Sequence, residues 1–118
     1  MSKVHILVEV SIHEGKLDAF KALAEKMTAG TQSESGALGY EWYFSDDQKR
    51  CRLLETYADA DALLAHFMGP VVQQFVPQML QHSRVDGFEV YGDPGGNAAA
   101  MLGGFGAEIF QYWNGLQR

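Results

Sequence analysis

The first sixty residues contain two alternating patterns of hydrophobic and polar positions with a helical pattern between them. In residues 4–11 the even positions hold valine or isoleucine and the odd positions are mixed, which predicts a β-strand. In residues 17–27 apolar side chains recur at spacings of three and four, which predicts a helix with one buried stripe. Two further strands are predicted over residues 38–44 and 50–57, paired antiparallel through a hairpin at 45–48.

The next part of the chain predicts two helical segments and one more strand. Asp59 is placed to cap a helix, and Gly69-Pro70 ends it. Pro70 also suits the first position of a second, apolar helical segment, which Pro77 is expected to kink or interrupt. A fourth strand is predicted over residues 85–91.

This order of elements, strand-helix-strand-strand-helix-strand, predicts an α+β fold of the ferredoxin-like kind. Such a fold has a four-stranded antiparallel sheet with both helices on one face. Aromatic and branched residues occur on both phases of the first three strands. The uncovered face of the sheet is therefore predicted to pack against a second copy of the chain, which makes a homodimer.

The composition changes after Gly92, since seven of the thirteen glycines lie in the last 27 residues. We therefore divide the chain into a ferredoxin-like domain, residues 1–92, and a C-terminal extension, residues 93–118. Four apolar residues of the extension stand at near-helical spacing: Phe105, Ile109, Tyr112 and Leu116. A solvated tail does not normally carry such residues, so the extension is expected to pack on the core, on the dimer partner or over a pocket mouth.

Composition and charge narrow the classes of partner. A chain of 118 residues with 47% hydrophobic residues fits one globular domain. Its formal charge of −6 argues against a nucleic acid or an anionic membrane as the main partner.

Cys51 is the single cysteine and has no intramolecular partner, which is compatible with a reducing compartment. The sequence shows neither an apolar signal segment near Met1 nor an apolar run long enough to span a membrane, so we expect a cytoplasmic protein.

A short motif runs from the third predicted strand into the helix capped by Asp59, and it resembles a motif of the antibiotic biosynthesis monooxygenase family. The motif has the pattern E-x-Y-x-D-x-x-A-x-x-x-H and consists of Glu55, Tyr57, Asp59, Ala62 and His66. The family includes cofactor-free quinol and anthrone oxygenases and a branch that degrades haem. The resemblance extends over the order of elements in residues 4–91, and it implies a dimeric α+β barrel.

The resemblance implies a cofactor-independent monooxygenase that acts on a phenolic, quinol or polyketide-like small molecule. His66 would abstract or hold the phenolic proton, which suits an imidazole titrating near neutral pH, and Glu55 would assist it. The substrate ring would be held by aromatic side chains. These substrate-binding candidates are Tyr40, Trp42, Tyr57, Phe67 and Phe75.

The residues themselves leave other interpretations open. His66 could be a structural histidine in a non-catalytic small-molecule-binding or stress-responsive dimer, and Glu55 could pair with a nearby arginine. An isomerase or decarboxylase could also use the same base without oxygen. No metal or other cofactor is expected, because His66 has no metal-ligand spacing with another histidine. The first strand also lacks the asparagine of the haem-degrading branch, and Gly103-Gly104-Phe105-Gly106 is no phosphate loop.

Overall fold

The computed structural model describes residues 3–118, and it confirms the predicted α+β fold. The strands are β1 (Val4–Ile12), β2 (Ala37–Phe44), β3 (Arg50–Tyr57), β4 (Ser83–Tyr91) and β5 (Glu108–Phe110). The helices are α1 (Leu17–Thr31), α2 (Ala60–Met68), α3 (Pro70–His82) and α4 (Gly96–Gly103). None of the helices within residues 3–118 is long and apolar enough to cross a bilayer.

The strands form one mixed sheet of five strands in the order β2-β3-β1-β4-β5. The first four strands pair antiparallel, as predicted, and β5 pairs parallel with β4. The pattern of residues does not predict β5, because three residues are too few to show a period. In the register of the central strands, Val8 lies opposite both Leu53 and Phe88, so these three side chains share one face of the sheet.

The ends of α2 and α3 follow the predicted chemistry, with one exception. The Asp59 carboxylate accepts a hydrogen bond from the backbone N–H of Ala62, which confirms the cap of α2. Helix α3 begins at Pro70 as expected, and it continues through Pro77 to His82, so Pro77 does not interrupt it, while a kink at Pro77 stays a prediction. Pro77 and Gln73 lie on the exposed side of the helix, where the carbonyl group that loses its N–H partner can bond to water.

Helix α4 belongs to the hydrophobic core. Its Ala98 and Leu102 are fully buried in a cluster with side chains of β1, β3, β4, α2 and α3. The near-helical spacing seen from Phe105 onward was misleading, because the helix of this region lies earlier, over Gly96–Gly103. It ends before Gly106, whose φ of +75° favours glycine and turns the chain towards β5.

The face of the sheet away from the helices is uncovered in the single chain. It carries a mixture of apolar and charged side chains, including an ion pair of 3.5 Å between Arg52 and Glu9. Leu54 and Tyr43 are 40% and 50% exposed on this face. At the β5 edge, the rings of Tyr91 and Phe110 stack with their centroids 5.4 Å apart. We call this surface the open face.

Candidate functional site

An apolar cavity of about 100 Å³ lies between the sheet and helices α1, α2 and α3. Its walls come mainly from valine, leucine, methionine and phenylalanine side chains. The side chains with polar atoms in the lining are Tyr40, Trp42, Glu55 and His66. A few polar groups in an apolar lining are typical of a small-molecule site, although such sites usually have volumes of about 300–1,000 Å³.

His66 is held between two carboxylates. It lies on the inward face of α2 beside Leu63 and Phe67, and it is 2% exposed. Its Nδ1 is 2.8 Å from Glu34 Oε1, and its Nε2 is 3.8 Å from Glu55 Oε1. An N–H donated from Nδ1 to Glu34 leaves Nε2 of the neutral ring free to accept a proton.

Glu34 was not among the predicted site residues. It lies in the polar turn between α1 and β2, 32 positions before His66 in the sequence. The turn approaches α2 closely because of Gly36, where an added Cβ would lie 2.5 Å from the Cβ of Ala62. The small residues Gly36 and Ala62 were the only sequence signal that this turn packs closely on α2. Only the folded structure shows that the two residues meet.

Glu55 and Tyr57 form a buried hydrogen-bonded pair next to His66. The Tyr57 hydroxyl donates to Glu55 Oε1 at 2.5 Å. Burial raises the pKa of Glu55, and a nearby His66 charge and the Tyr57 hydrogen bond only partly oppose it. Burial and the Glu55 charge also raise the pKa values of Tyr57 and Tyr40. Both phenols are therefore hydrogen-bond donors at neutral pH.

Three of the predicted aromatic residues line the cavity, namely Tyr40, Trp42 and Phe67. The Tyr40 ring centroid lies 5.6 Å from that of His66 and 5.7 Å from that of Trp42. Trp42 Nε1 donates to the hydroxyl of Thr28 at 2.8 Å. Because this hydrogen bond satisfies its only polar group, Trp42 presents an apolar ring to the cavity.

The other two predicted aromatic residues do not reach the lining. Tyr57 is fully buried in the core behind Glu55, with its ring centroid 5.3 Å from that of His66. Phe75 packs against a second core cluster, which contains Val10, Phe20 and Met79. The residues of α3 that line the cavity are Val72, Val76, Met79 and Leu80. The sequence identified the apolar helix but did not show which side of it faces the cavity.

The described part of the chain, residues 3–118, contains no group of three or more His, Cys, Asp or Glu side chains that could hold a metal ion. Glu34 and Glu55 contact different nitrogens of the His66 ring, so the three side chains do not converge on one point.

Changing Glu55 to glutamine tests the electrostatics of the cluster. The raised pKa of Glu55 means that folding favours its protonated form. Its contribution to stability is complete below about pH 4.3, the usual glutamate pKa, and is lost as the pH rises through the folded-state pKa. We expect the unfolding free energy of the wild type to fall relative to that of Glu55→Gln over this interval. Glutamine keeps an oxygen that can accept the Tyr57 hydrogen bond.

Urea denaturation of both proteins at pH values from about 4 to 8 measures this difference. The exposed Glu41, replaced in the same way, is the control and should show no such trend. A difference between wild type and Glu55→Gln that does not change with pH would contradict the raised pKa of Glu55.

Comparison with known proteins gives a family match and several similar structures. The family model for antibiotic biosynthesis monooxygenase matches residues 3–78. MupZ from Pseudomonas fluorescens is similar in structure, with a TM-score of 0.87 and 22% identity over 100% of this chain and 96% of that one. Rv0793 from Mycobacterium tuberculosis has a TM-score of 0.69 and 25% identity, covering 75% of this chain and 92% of that chain.

A further solved structure, of an antibiotic biosynthesis monooxygenase, has a TM-score of 0.65 and 20% identity, covering 74% of this chain and 92% of that chain. The search of curated proteins found no match. The structural match to MupZ includes the C-terminal extension, which lies outside the residues matched by the family model.

Proposed function

Because the chain belongs to the antibiotic biosynthesis monooxygenase family, we propose that it is a cofactor-independent monooxygenase of a phenolic, quinol or polyketide-like small molecule. The observation that carries this proposal is the placement of His66. A buried imidazole with a carboxylate near each nitrogen lies at the wall of an otherwise apolar cavity. This arrangement suits the removal of a proton from a bound molecule that is mostly apolar.

In the proposed reaction His66 removes a proton from the substrate and leaves an electron-rich anion. The anion transfers one electron to O₂, and the resulting radical and superoxide combine to form a carbon–oxygen bond. For a substrate with a reactive CH₂ group, the peroxide anion takes the proton back from the His66 imidazolium and then loses water to leave a carbonyl group, so one oxygen atom enters the product and the other leaves as water. Glu34 stabilises the imidazolium until the proton returns, and Tyr40 is a hydrogen-bond donor at the same wall.

Oxygen uptake by chelator-treated protein tests the proposal. The panel of substrates contains a hydroquinone, a catechol and an anthrone, measured with an oxygen electrode against each compound without protein. We expect protein-dependent uptake with at least one of them, and loss of that uptake in His66→Ala. Uptake that needs added metal would overturn cofactor independence, while product formation without oxygen consumption would point to an isomerase or decarboxylase.

A second candidate function is non-catalytic binding of a small molecule. It is favoured by the enclosure of His66, which is 2% exposed and has a carboxylate near each ring nitrogen. The cavity volume of about 100 Å³ is less than the roughly 150 Å³ of an engineered cavity that holds benzene. Here His66 would be a structural residue whose two carboxylate contacts stabilise the fold. Ligand binding without oxygen uptake or product would support this function, and the wall must move outward for any ring to enter.

We also propose that two copies of the chain pair through the open face to form the dimeric α+β barrel expected of this family. The exposed Leu54 and Tyr43 on this face support the pairing, since association would remove them from water. Sedimentation equilibrium of the 13.1 kDa chain measures the mass directly. Leu54→Glu should convert a dimer to a monomer, and a monomeric wild type would contradict the pairing.

A further inference from the structure

Phe105 is the residue of the C-terminal extension that reaches the cavity, and the end of helix α4 fixes its position. The N–H of Gly106 donates to the carbonyl of Gly103, and the N–H of Ala107 donates to that of Leu102, both at 3.1 Å. This pair of bonds is a Schellman motif, and the φ of +75° at Gly106 is the left-handed conformation it requires. Since Leu102 is fully buried, the turn that carries Phe105 is anchored to the core.

The Phe105 ring lies across the outer part of the cavity. Its centroid is 6.2 Å from that of Phe67 on α2 and 6.1 Å from that of Phe88 on β4, and it stacks on Phe88. The ring therefore bridges a helix and a strand on two sides of the cavity. Phe105 is 45% exposed, and two other lining residues, Leu80 and Val85, are also partly exposed. These three side chains mark the mouth.

Part of the Phe105 ring faces solvent, since the residue is 45% exposed. An added Cβ at the adjacent Gly106 would meet nothing within 4 Å, and one at Gly104 would lie 3.2 Å from the backbone carbonyl oxygen of Met101, so no other side chain crowds the turn. Rotation of Phe105 would break its two ring contacts, with Phe67 and with Phe88. Burial of the apolar surface of an aromatic ligand can offset the loss of two such contacts.

We propose that Phe105 determines the size of ligand that the cavity accepts. Single-ring phenols enter with small displacement of the ring, whereas ligands with two or three fused rings bind only after Phe105 leaves its contacts with Phe67 and Phe88. The selectivity is supplied from outside the segment matched by the family model, residues 3–78. This inference rests on the proposed function only in that the cavity is the site of a small aromatic molecule.

Calorimetric titrations with phenol, 1-naphthol and anthrone test the proposal. They are performed under nitrogen, so that turnover cannot consume the ligand, with wild type, Phe105→Ala and Phe110→Ala. We expect Phe105→Ala to lower the Kd for anthrone at least about tenfold, or 1.4 kcal/mol, and to change the Kd for phenol by less than about threefold. The control, Phe110→Ala, removes an equally exposed ring that stacks on Tyr91 instead.

An unchanged ratio of the anthrone and phenol Kd values in Phe105→Ala would overturn the role of Phe105, and so would an equal shift in Phe110→Ala. Absence of binding by all three ligands would overturn it as well. The proposed oxygenase activity fails separately, through absence of oxygen uptake by a protein that binds these ligands. Thermal unfolding of each variant verifies that the fold is retained.

Discussion

Replacing His66 with alanine is expected to lower the rate of oxygen uptake by about 10²–10⁴-fold, the usual contribution of a general base. The substitution removes the group proposed to take the substrate proton. It also leaves Glu34 and Glu55 without the side chain that lies between them. We therefore expect lower stability as well, since two carboxylates lose a partner in a buried site.

Two variants separate the chemical effect from the structural one. Glu34→Gln retains a hydrogen-bonding oxygen for His66 Nδ1 but removes the charge that stabilises the imidazolium, so its rate should lie between those of wild type and His66→Ala. His5→Ala is the matched control, because His5 bonds to Thr56 Oγ1 outside the cavity lining. A His66→Ala protein that is folded and still active would show that the imidazole is structural.

Replacing Leu102 with alanine is expected to lower the free energy of unfolding by about 2–5 kcal/mol, the usual cost of such a change in a core. Leu102 is 0% exposed and packs in the cluster that contains Val4, Ile6 and Val90. The substitution opens a cavity where helix α4 meets the sheet. Urea denaturation followed by circular dichroism measures the change.

Leu116→Ala is the control, since Leu116 belongs to the same extension but is 76% exposed. Its substitution should change the unfolding free energy by less than about 0.5 kcal/mol. We propose on this basis that residues 93–110 of the extension fold as part of the unit rather than as a tail. Equal, small effects of both substitutions would contradict that proposal and would also weaken the anchoring inferred for Phe105.

The helices and strands of the core were predictable from the sequence because their signals are local. The alternation in β1 follows from the opposite faces of a strand, and the cap of α2 needs only Asp59 and a backbone N–H three residues later. The family resemblance also depended on a short motif and is confirmed by the match over residues 3–78. Helix α4 and strand β5 were missed, since both are short and helix α4 begins and ends in glycine.

The candidate site shows the same division between local and distant information. That His66 lies on the inward face of α2 followed from its spacing to Leu63, within one turn of helix. Its pairing with Glu34 did not, because that contact joins positions 32 apart and depends on how closely a turn packs on the helix. Phe75 was assigned to the cavity wrongly for a similar reason, since the orientation of α3 against the sheet decides which of its apolar residues face inward.

The sequence alone predicted the elements from β1 to β4 and their order, and it placed His66 on the inward face of α2, because these features depend on residues close together in the chain. The volume of the cavity, the carboxylates near His66 and the position of Phe105 at the mouth follow from the tertiary structure alone. Each of these is set by packing between elements distant in sequence. Such packing depends on side-chain shapes and small displacements, and no local pattern encodes them.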